Sequence, residues 1–456
     1  DQHSQLSAYE QKRLKNIMEN ARFFAALNLH KVAARLEEVA NKREIQAAKR
    51  VKPKRTEDEL VLRRSVRLQR GSPAVVTPEP ETFTQPKESY PVVPAGPLPM
   101  ATEGPEGSEA LAEELLATWR RLSEVLLVVL VAHASPGRRY QESLRGMLLR
   151  EGNVRKVVKT RVCSMAIHPA TGSILVAAGD STGLVGLWNA DGGSADGAQT
   201  YLVHNHSVSC MHFSPCNPAH LLTLSSDGLR CGDVTRAVFD QVFQGEESSS
   251  FDFLEASAST AIVGHWGGRV SVVDRRTPGS ASELSADIGF SRTRTVHVHP
   301  LRPHYFVAAG SVDVCVFDLR TLSALGNSPV SCLPGHTKSV ASAYFSPVTG
   351  NRVVTVSADN QLRLRASELP PLVNVLPLER GSQGVSGAIW EPKRDDCFVV
   401  GSMAQPRQIQ VFQDSGKLLH RFSDPDYLGS VCCINAIHPQ RNILVGGNSS
   451  GRLFIF

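Results

Sequence analysis

Residues 161–189 read RVCSMAIHPATGSILVAAGDSTGLVGLWN. Apolar and polar residues alternate up to the corner Ile167-His168-Pro169, where the first run ends. A second run of small and β-branched residues follows, and a Gly/Asp turn separates it from a third run that ends near Asn189. Short alternating runs bounded by Gly and Pro are typical of β-strands. The segment therefore predicts three successive strands joined by short turns.

The same pattern recurs along the chain. Its corners are Ile167-His168-Pro169, Phe213-Ser214-Pro215, Val298-His299-Pro300, Phe345-Ser346-Pro347, Trp390-Glu391-Pro392 and Ile437-His438-Pro439. The corner prolines are 46, 85, 47, 45 and 47 residues apart. The gap of 85 holds two repeats, and residues 250–276 carry the second one without its proline. Seven units with a period in the forties and four short strands each predict an all-β, seven-bladed propeller.

Details of the repeat resemble the WD40 family. Gly335-His336 opens one unit, Leu187-Trp188-Asn189 stands where the family has its Trp-Asp dipeptide, and Ser225-Ser226-Asp227-Gly228 fits the turn between second and third strands. The resemblance implies a WD40 β-propeller over residues 151–456. The last unit has only three strands, so we expect residues 152–158 to supply its outer strand and to close the ring.

The residues before the propeller divide into three segments. Ser7-x-x-Glu10 fits a helix-capping box, and helical apolar spacing follows it, which predicts an N-terminal helical segment over residues 1–48. Residues 49–110 are first basic and then rich in proline, with nine prolines in 71–110, and predict a disordered linker. Residues 111–150 fit neither pattern and form an atypical insert, although residues 111–134 could be one apolar helix.

Charge and composition limit the classes of partner that this chain is expected to bind. Residues 1–70 contain 17 Lys/Arg and 9 Asp/Glu, a net charge of +8 in a chain whose total is +5, so the remainder carries −3. A basic arm on a nearly neutral body indicates nucleic acid, an acidic partner or nuclear import. The longest apolar run spans only 8 residues, 125–132, which predicts no membrane span.

The termini and the cysteines give two further expectations. The chain begins without Met or a basic-then-apolar leader, so we expect it to lack its true start and to carry no secretory signal. Nine cysteines without a C-x-x-C pair predict free thiols in a reducing compartment.

Position in the repeat assigns residues to a face of the propeller. Loops between second and third strands, and those entering the first strand, should lie on one face, and this face collects cations and an exposed tryptophan that suit phosphate contact and base stacking. The predicted DNA-binding residues are Lys159, Arg161, Trp266, Arg292, Arg294, Lys338 and Arg407. Histidines and aspartates on this face have an alternative role, which is to hold the turns together by hydrogen bonds.

Two third strands end alike, as Asp274-x-Arg276 and Asp318-x-Arg320. These sites resemble the D-x-R box by which propeller substrate receptors dock onto the adaptor of the cullin-4 ubiquitin ligase. The chemistry requires an exposed guanidinium fork held by a neighbouring carboxylate. The alternative is an ion pair internal to each blade.

Catalysis finds little support. The common nucleotide-binding, hydrolase and metalloprotease motifs do not occur, and the 15 histidines show no paired spacing suited to zinc. We therefore expect a non-enzymatic protein without cofactor or metal.

Residues 9–27, YEQKRLKNIMENARFFAAL, resemble the helix of the WD-repeat-containing protein 76 family, and stretches such as Ala177-Ala178-Gly179-Asp180 and Arg294-Thr295-Val296-His297-Val298-His299-Pro300 extend the resemblance through the propeller. The resemblance implies a nuclear, chromatin-associated protein of the DNA-damage response that binds DNA and acts as a substrate receptor of the cullin-4 ligase. The family's basic segment falls on the arm residues Lys49, Arg50, Lys52, Lys54 and Arg55.

Two functions follow from these features. The first is a scaffold with DNA on one face of the propeller and the ligase adaptor on the other. The alternative is a protein-interaction scaffold that reads histone or other peptides, with DNA contact only through the basic arm.

Overall fold

The chain forms two compact units, Asp1–Ser89 and Tyr90–Phe456. The computed structural model describes Met18 and residues 93–101, 108–124, 137–192, 197–277, 281–324, 326–359, 361–366, 373–377 and 387–456. Met18 is helical, but the rest of the predicted helix 1–48 lies outside the described residues. The predicted linker does too, apart from residues 93–101 and 108–110. The basic arm residues Lys49, Arg50, Lys52, Lys54 and Arg55 are therefore not described.

Among the described residues, 29 strands form seven antiparallel sheets, which we number as blades in chain order. Blade 1 contains β3 (Val162–Ile167), β4 (Leu175–Asp180), β5 (Leu184–Asn189) and β6 (Ala198–Leu202). Blade 2 contains β7 (Cys210–Phe213), β8 (His220–Ser225), β9 (Gly228–Asp233) and β10 (Val238–Gln244), with β1 (Leu98–Pro99) on its outer edge. Blade 3 contains β11 (Ser248–Phe253), β12 (Thr260–His265), β13 (Arg269–Asp274) and β14 (Leu284–Asp287).

Blade 4 contains β15 (Thr293–Val298), β16 (Tyr305–Gly310), β17 (Val314–Asp318) and β18 (Ser331–Cys332). Blade 5 contains β19 (Val340–Phe345), β20 (Arg352–Ser357), β21 (Gln361–Ala366) and β22 (Val373–Pro377). Blade 6 contains β23 (Ala388–Trp390), β24 (Cys397–Ser402), β25 (Gln408–Gln413) and β26 (Leu418–Phe422). Blade 7 contains β27 (Cys432–Ile437), β28 (Leu444–Asn448), β29 (Arg452–Ile455) and β2 (Val154–Lys156). The predicted seven-bladed WD40 propeller is confirmed.

The ring closes by pairing strands from the two ends of the propeller. The strand β2, from before blade 1, is antiparallel to β29, with Val154 opposite Phe454 and Lys156 opposite Arg452. The last blade thereby acquires its fourth strand from the predicted segment, and its open edge is covered.

Strand direction defines two rims. The first strand of each blade in chain order is its inner strand, next to the central channel. The inner strand runs from one end of the propeller to the other, the second strand runs back, and the third strand again runs in the direction of the first. The segments that enter inner strands and the turns between second and third strands therefore share one end, which we call the upper rim. The opposite end, with the proline corners and the ends of the third strands, is the lower rim.

Buried histidine–aspartate pairs fix two upper-rim turns. His204 Nδ1 lies 2.8 Å from Asp227 Oδ1, and its Nε2 lies 2.9 Å from Thr223 Oγ1. The same geometry recurs in blade 5, where His336 Nδ1 lies 2.9 Å from Asp359 Oδ2. In each pair a segment entering an inner strand is attached to the following turn of the same blade, so these residues stabilise the fold.

The segment before the propeller is more ordered than its composition predicts. The strand β1 pairs with β10 through Leu98 opposite Phe239, and Val93, Leu98 and Met100 are buried. Residues 93–101 thus belong to the folded unit, and the prediction that the linker extends through them is wrong. The proline-rich backbone is tolerated here because β1 is an edge strand.

Two helices occur among the described residues of the predicted insert 111–150. Helix α1 (Ser108–Glu124) buries Ala112, Leu115, Trp119 and Leu122 at three- and four-residue spacing. Leu115, Trp119 and Leu122 pack into the hydrophobic core of blades 1 and 2. Helix α1 is described as far as Glu124, and the rest of the possible apolar helix, residues 125–134, lies outside the described residues.

Helix α2 (Gly137–Gly146) packs against blades 6 and 7 through Tyr140 and Leu144. The Tyr140 hydroxyl donates to Glu391 Oε2 at 3.1 Å, and the Arg394 guanidinium lies 4.9 Å from the Tyr140 ring centroid. Burial raises the pKa of Glu391. Helix α2 therefore covers a corner carboxyl that occupies the place of a corner histidine or serine in other blades.

One expectation about cysteine is wrong. Cys315 and Cys332 are directly opposite each other on β17 and β18 and form a disulfide. Among the described residues, seven other cysteines are free.

Candidate nucleic-acid interface

Three arginines and a tryptophan meet on the upper rim. Arg161 precedes β3, Arg292 precedes β15, Arg294 is the second residue of β15, and Trp266 lies in the turn between β12 and β13. The Arg292 and Arg294 guanidinium carbons lie 5.8 and 5.6 Å from the Trp266 ring centroid. We call these four residues the cationic rim cluster. It unites four of the seven predicted DNA-binding residues.

A glycine turn places the tryptophan. Gly268 has a φ of +81°, and a Cβ there would lie 1.7 Å from the Phe290 carbonyl oxygen, so only glycine fits. The Trp266 amide donates to the Glu247 carbonyl at 2.8 Å. The turn is therefore fixed against its neighbours, and the half-buried indole is held beside the two arginines.

The cluster concentrates positive charge. Partial burial lowers the pKa of Arg294, and repulsion from Arg292 and Arg161 lowers it further. Arg161 comes from blade 1 and Arg294 from blade 4, so the effect reports cations that converge from separate blades. A bound anion would relieve this repulsion, and phosphate is one of the anions whose geometry matches the guanidinium fork.

The other predicted cations occupy the same rim outside this cluster. Lys159 is exposed between β2 and β3, and Lys338 is exposed before β19. Arg407 is half-buried, and its Nη1 donates to the Met403 carbonyl within its own turn. They extend the positive surface without joining the stacked group.

Part of the upper rim is acidic. An open groove at blades 2 and 3 is lined by His206, Ser226, Asp227, Gln244, Gly245, Glu246, Glu247 and Ala281. Asp227 already holds His204, whereas Glu246 and Glu247 lie in the segment between β10 and β11. The upper rim therefore presents a cationic region and an acidic region.

The lower rim carries both predicted D-x-R pairs. Arg276 Nε donates to Asp274 Oδ1 at 3.0 Å and its Nη2 to Oδ2 at 2.6 Å. Arg320 makes the same fork on Asp318, at 3.0 and 2.6 Å. The arginine side chains are 69% and 64% exposed, whereas their aspartates are largely covered. Hydrogen bonds from the paired arginines lower the pKa of each aspartate to about 2.

A third aspartate–arginine pair was not predicted. In blade 2, Asp233 ends β9, and Arg236 Nε donates to Asp233 Oδ2 at 2.8 Å. The spacing is three residues rather than two, so a search for D-x-R does not find it. The signal that would find it is an aspartate that ends a third strand and has an arginine within the next turn. Blades 2, 3 and 4 thus form a row, and we call Arg236, Arg276 and Arg320 the lower arginine row.

Two further observations bear on chemistry. Among the described residues, no group of three or more His, Cys, Asp or Glu side chains is arranged to hold a metal ion. In the same part of the chain, no helix has the length and apolar character needed to cross a membrane.

The repeated four-strand blades, the ring closure and the histidine–aspartate turns define a WD40-repeat propeller, a class that presents binding surfaces on its two rims. The sequence model of the WD domain, G-beta repeat, matches residues 327–365. Over its whole length, the chain is 46% identical to WD repeat-containing protein 76 of Mus musculus, covering 75% of that protein. It is also 46% identical to the Xenopus laevis protein of the same name, covering 81% of it.

A more distant relative is the DNA damage-binding protein CMR1 of Eremothecium gossypii. It is 25% identical over 75% of this chain and 74% of its own length. The chain belongs to the WD repeat-containing protein 76 family. The predicted family is confirmed.

Proposed function

We propose that this protein is a nuclear, chromatin-associated scaffold of the DNA-damage response. It binds duplex DNA at the cationic rim cluster and docks the adaptor of a cullin-4 ubiquitin ligase through Arg276 and Arg320 on the opposite rim. The observation that carries the proposal is the convergence of Arg161, Arg292 and Arg294 beside Trp266. A relative named DNA damage-binding protein supports the proposal. The basic arm supports it too, because clusters of lysine and arginine serve for nuclear import or for contact with nucleic acid.

In this proposal the two partners bind on opposite rims of the propeller. DNA held at the upper rim leaves the exposed guanidinium groups of Arg276 and Arg320 accessible below. Their carboxylate partners orient the forks, so acceptors on an adaptor would meet prearranged donors. A protein that touches DNA on one face and a ligase on the other would bring chromatin-bound substrates to ubiquitination.

The experiment is fluorescence anisotropy of a labelled DNA duplex with the full chain across a salt series. One variant neutralises the cluster by Arg161→Gln, Arg292→Gln and Arg294→Gln. A second neutralises the arm at Lys49, Arg50, Lys52, Lys54 and Arg55. Each phosphate contact contributes about 0.9 to the slope of log affinity against log salt, so the cluster variant should lose roughly 2–3 from that slope.

The matched control changes three exposed arginines away from the cluster, Arg121→Gln, Arg150→Gln and Arg302→Gln. It removes the same formal charge and should retain most of the affinity. If the arm variant loses binding and the cluster variant behaves like this control, DNA contact belongs to the arm and the propeller proposal is wrong.

The acidic groove favours one second function. Glu246 and Glu247 beside an open groove suit a basic peptide, and histone tails are such peptides. In this alternative the propeller reads histones or other nuclear proteins, and only the arm touches DNA. Glu246→Gln with Glu247→Gln should then weaken binding of a labelled lysine-rich peptide, whereas the cluster variant should leave that binding unchanged.

A further inference from the structure

The inner strands of four consecutive blades place titratable side chains at one level of the central channel. Each side chain belongs to the residue before the last of its strand, and the four residues are His212, Asp252, His297 and Tyr344. The equivalent residues of blades 6, 7 and 1 are Ile389, Ala436 and Ala166. One side of the channel is therefore polar and titratable at this level, and the other side is apolar.

Contacts along the polar side run from each inner strand to the next. Asp252 Oδ2 accepts from the Val298 amide at 2.7 Å, and His297 Nδ1 accepts from the Phe345 amide at 3.2 Å. The His212 ring packs edge-on against Phe251, with ring centroids 5.1 Å apart. Asp252 and His297 thus each accept a hydrogen bond from a backbone amide, whereas His212 Nε2 faces another side chain.

That partner is a thiol. Cys210 lies two residues before His212 on β7, and its Sγ is 3.4 Å from His212 Nε2. The sulfur also lies 3.6 Å from the Phe251 carbonyl oxygen, to which the protonated thiol can donate. Cys210 is half-buried and His212 is open to the channel, so both groups can be reached by a small molecule.

The surroundings favour the charged form of His212. Its position deep in the molecule lowers the pKa of His212, but the Cys210 sulfur and the Asp252 carboxylate outweigh that effect and raise the pKa to about 9. A cationic imidazole 3.4 Å from a sulfur stabilises the negative charge that develops on that sulfur as it attacks an electrophile. The other titratable groups on the adjoining polar side are His297 of β15 and Tyr344 of β19.

We propose that Cys210 is a covalent-modification site, a thiol activated by His212 that captures small, soft electrophiles entering the central channel. The Cys210 S–H proton leaves to water, and the sulfur, held beside the protonated His212 ring, attacks the electrophilic carbon. With an alkyl iodide such as iodoacetamide, an S–C bond forms, the C–I bond breaks, and iodide leaves with the bonding pair.

The other free cysteines provide internal references. Cys231, Cys397 and Cys432 are buried, and burial raises the pKa of each thiol. Cys216 is exposed, and its thiol donates to the Ser257 carbonyl at 2.7 Å. Cys216 is thus an accessible thiol that has a neutral partner, and it is the reference for accessibility without imidazole activation.

The experiment is substoichiometric labelling of the full chain with iodoacetamide at pH 6, followed by mass spectrometry of the cysteine peptides. Cys210 should react at least about threefold faster than Cys216, because the cationic His212 ring lies 3.4 Å from the Cys210 sulfur, whereas the partner of Cys216 is a neutral carbonyl. Equal rates in the unaltered protein overturn the proposal.

The variant His212→Gln tests the activating group. It should reduce labelling of Cys210 by at least about threefold and leave Cys216 unchanged. The matched control is His297→Gln, which alters an imidazole of the same channel level on another strand and should not change the Cys210 rate. If His212→Gln leaves that rate unchanged while the melting temperature is maintained, His212 is not the activator and the proposal fails.

Discussion

His438 of blade 7 donates a hydrogen bond from Nε2 to the carbonyl oxygen of Ala170 in blade 1, over 3.0 Å. The tautomer follows from the other nitrogen, because Nδ1 accepts from the amides of Gln440 and Arg441 at 3.0 and 2.9 Å. The first and last blades are therefore joined at their proline corners, and this contact adds to the closing strand β2. His168 occupies the same corner in blade 1, where its Nδ1 accepts from the Ala170 amide at 3.2 Å.

The two corner histidines predict acid sensitivity. Burial lowers the pKa of His168 and of His438 to about 4, below the ordinary value near 6.5 for an unfolded chain. Their stabilising effect is complete above pH 6.5 and is lost as pH falls toward 4, because the unfolded chain takes up these protons first. Each contributes on the order of 2–3 kcal/mol over that interval. Urea unfolding at pH 7 and at pH 4.5 measures the loss.

The variant His438→Asn tests how much of this acid sensitivity comes from His438. Its amide oxygen can still accept from the corner amides, but the donor to Ala170 is lost, so stability at pH 7 should fall by about 1–2 kcal/mol. Its stability should change less between pH 7 and 4.5 than that of the unaltered protein. His206→Asn, at an exposed position, is the matched control. A His438→Asn curve parallel to the unaltered one would show that this corner does not titrate.

Trp119 attaches helix α1 to the propeller. Its side chain is fully buried, its indole nitrogen donates to the Pro218 carbonyl at 2.9 Å, and its ring meets Phe213 edge-on at 5.8 Å. Trp119→Ala should cost about 3–5 kcal/mol of local stability and expose helix α1 to proteases. Limited proteolysis with mass mapping would measure this, with Arg121→Ala on the exposed face of the helix as the control. Equal cleavage rates for the two variants would mean that Trp119 does not anchor the helix.

The repeat could be predicted from the sequence because each proline corner marks the end of an inner strand. Corners such as Phe345-Ser346-Pro347 recur at nearly constant spacing. The closing strand was also readable, since the last unit lacks one strand. Strand β1 was not, because a two-residue edge strand has almost no pattern of its own. Helix α1 was foreseen only as a possible apolar helix over residues 111–134. The burial of Leu98 and Trp119 depends on the surface of blade 2, which local composition does not encode.

The candidate site was only partly predictable. Topology assigns Arg161 and Arg294 to one rim, but the stacking on Trp266 depends on the exact path of the turns. Asp233 and Arg236 escaped detection because their spacing differs by one residue from D-x-R. The Cys210–His212 pair required the register of β7 relative to its neighbours, since alternation alone does not tell which side chains reach the channel.

Trp266 predicts a preference for an unstacked base. An indole beside two guanidinium groups offers a stacking surface, and base–aromatic stacking contributes about 1–3 kcal/mol per base. Trp266→Ala should therefore weaken binding of a duplex with a single-nucleotide bulge by about tenfold, and weaken binding of the fully paired duplex less. Anisotropy titrations of both duplexes measure the difference. Trp266→Phe retains an aromatic ring and should keep part of the affinity for the bulged duplex. If Trp266→Ala weakens binding of both duplexes equally, stacking on Trp266 is excluded.

The lower arginine row predicts the adaptor contact. Arg276→Ala with Arg320→Ala should abolish co-purification of the cullin-4 adaptor with the full chain, because both exposed forks are removed. Exposed ion pairs contribute little to stability, so the melting temperature should change by no more than about 2 °C. Arg236→Ala tests whether the third pair takes part, and a partial loss would extend the contact to blade 2. Arg302→Ala is an exposed control at the blade 4 corner of the same rim. Adaptor recovery unchanged by the double substitution would make both D-x-R pairs internal to their blades and remove the ligase from the proposed function.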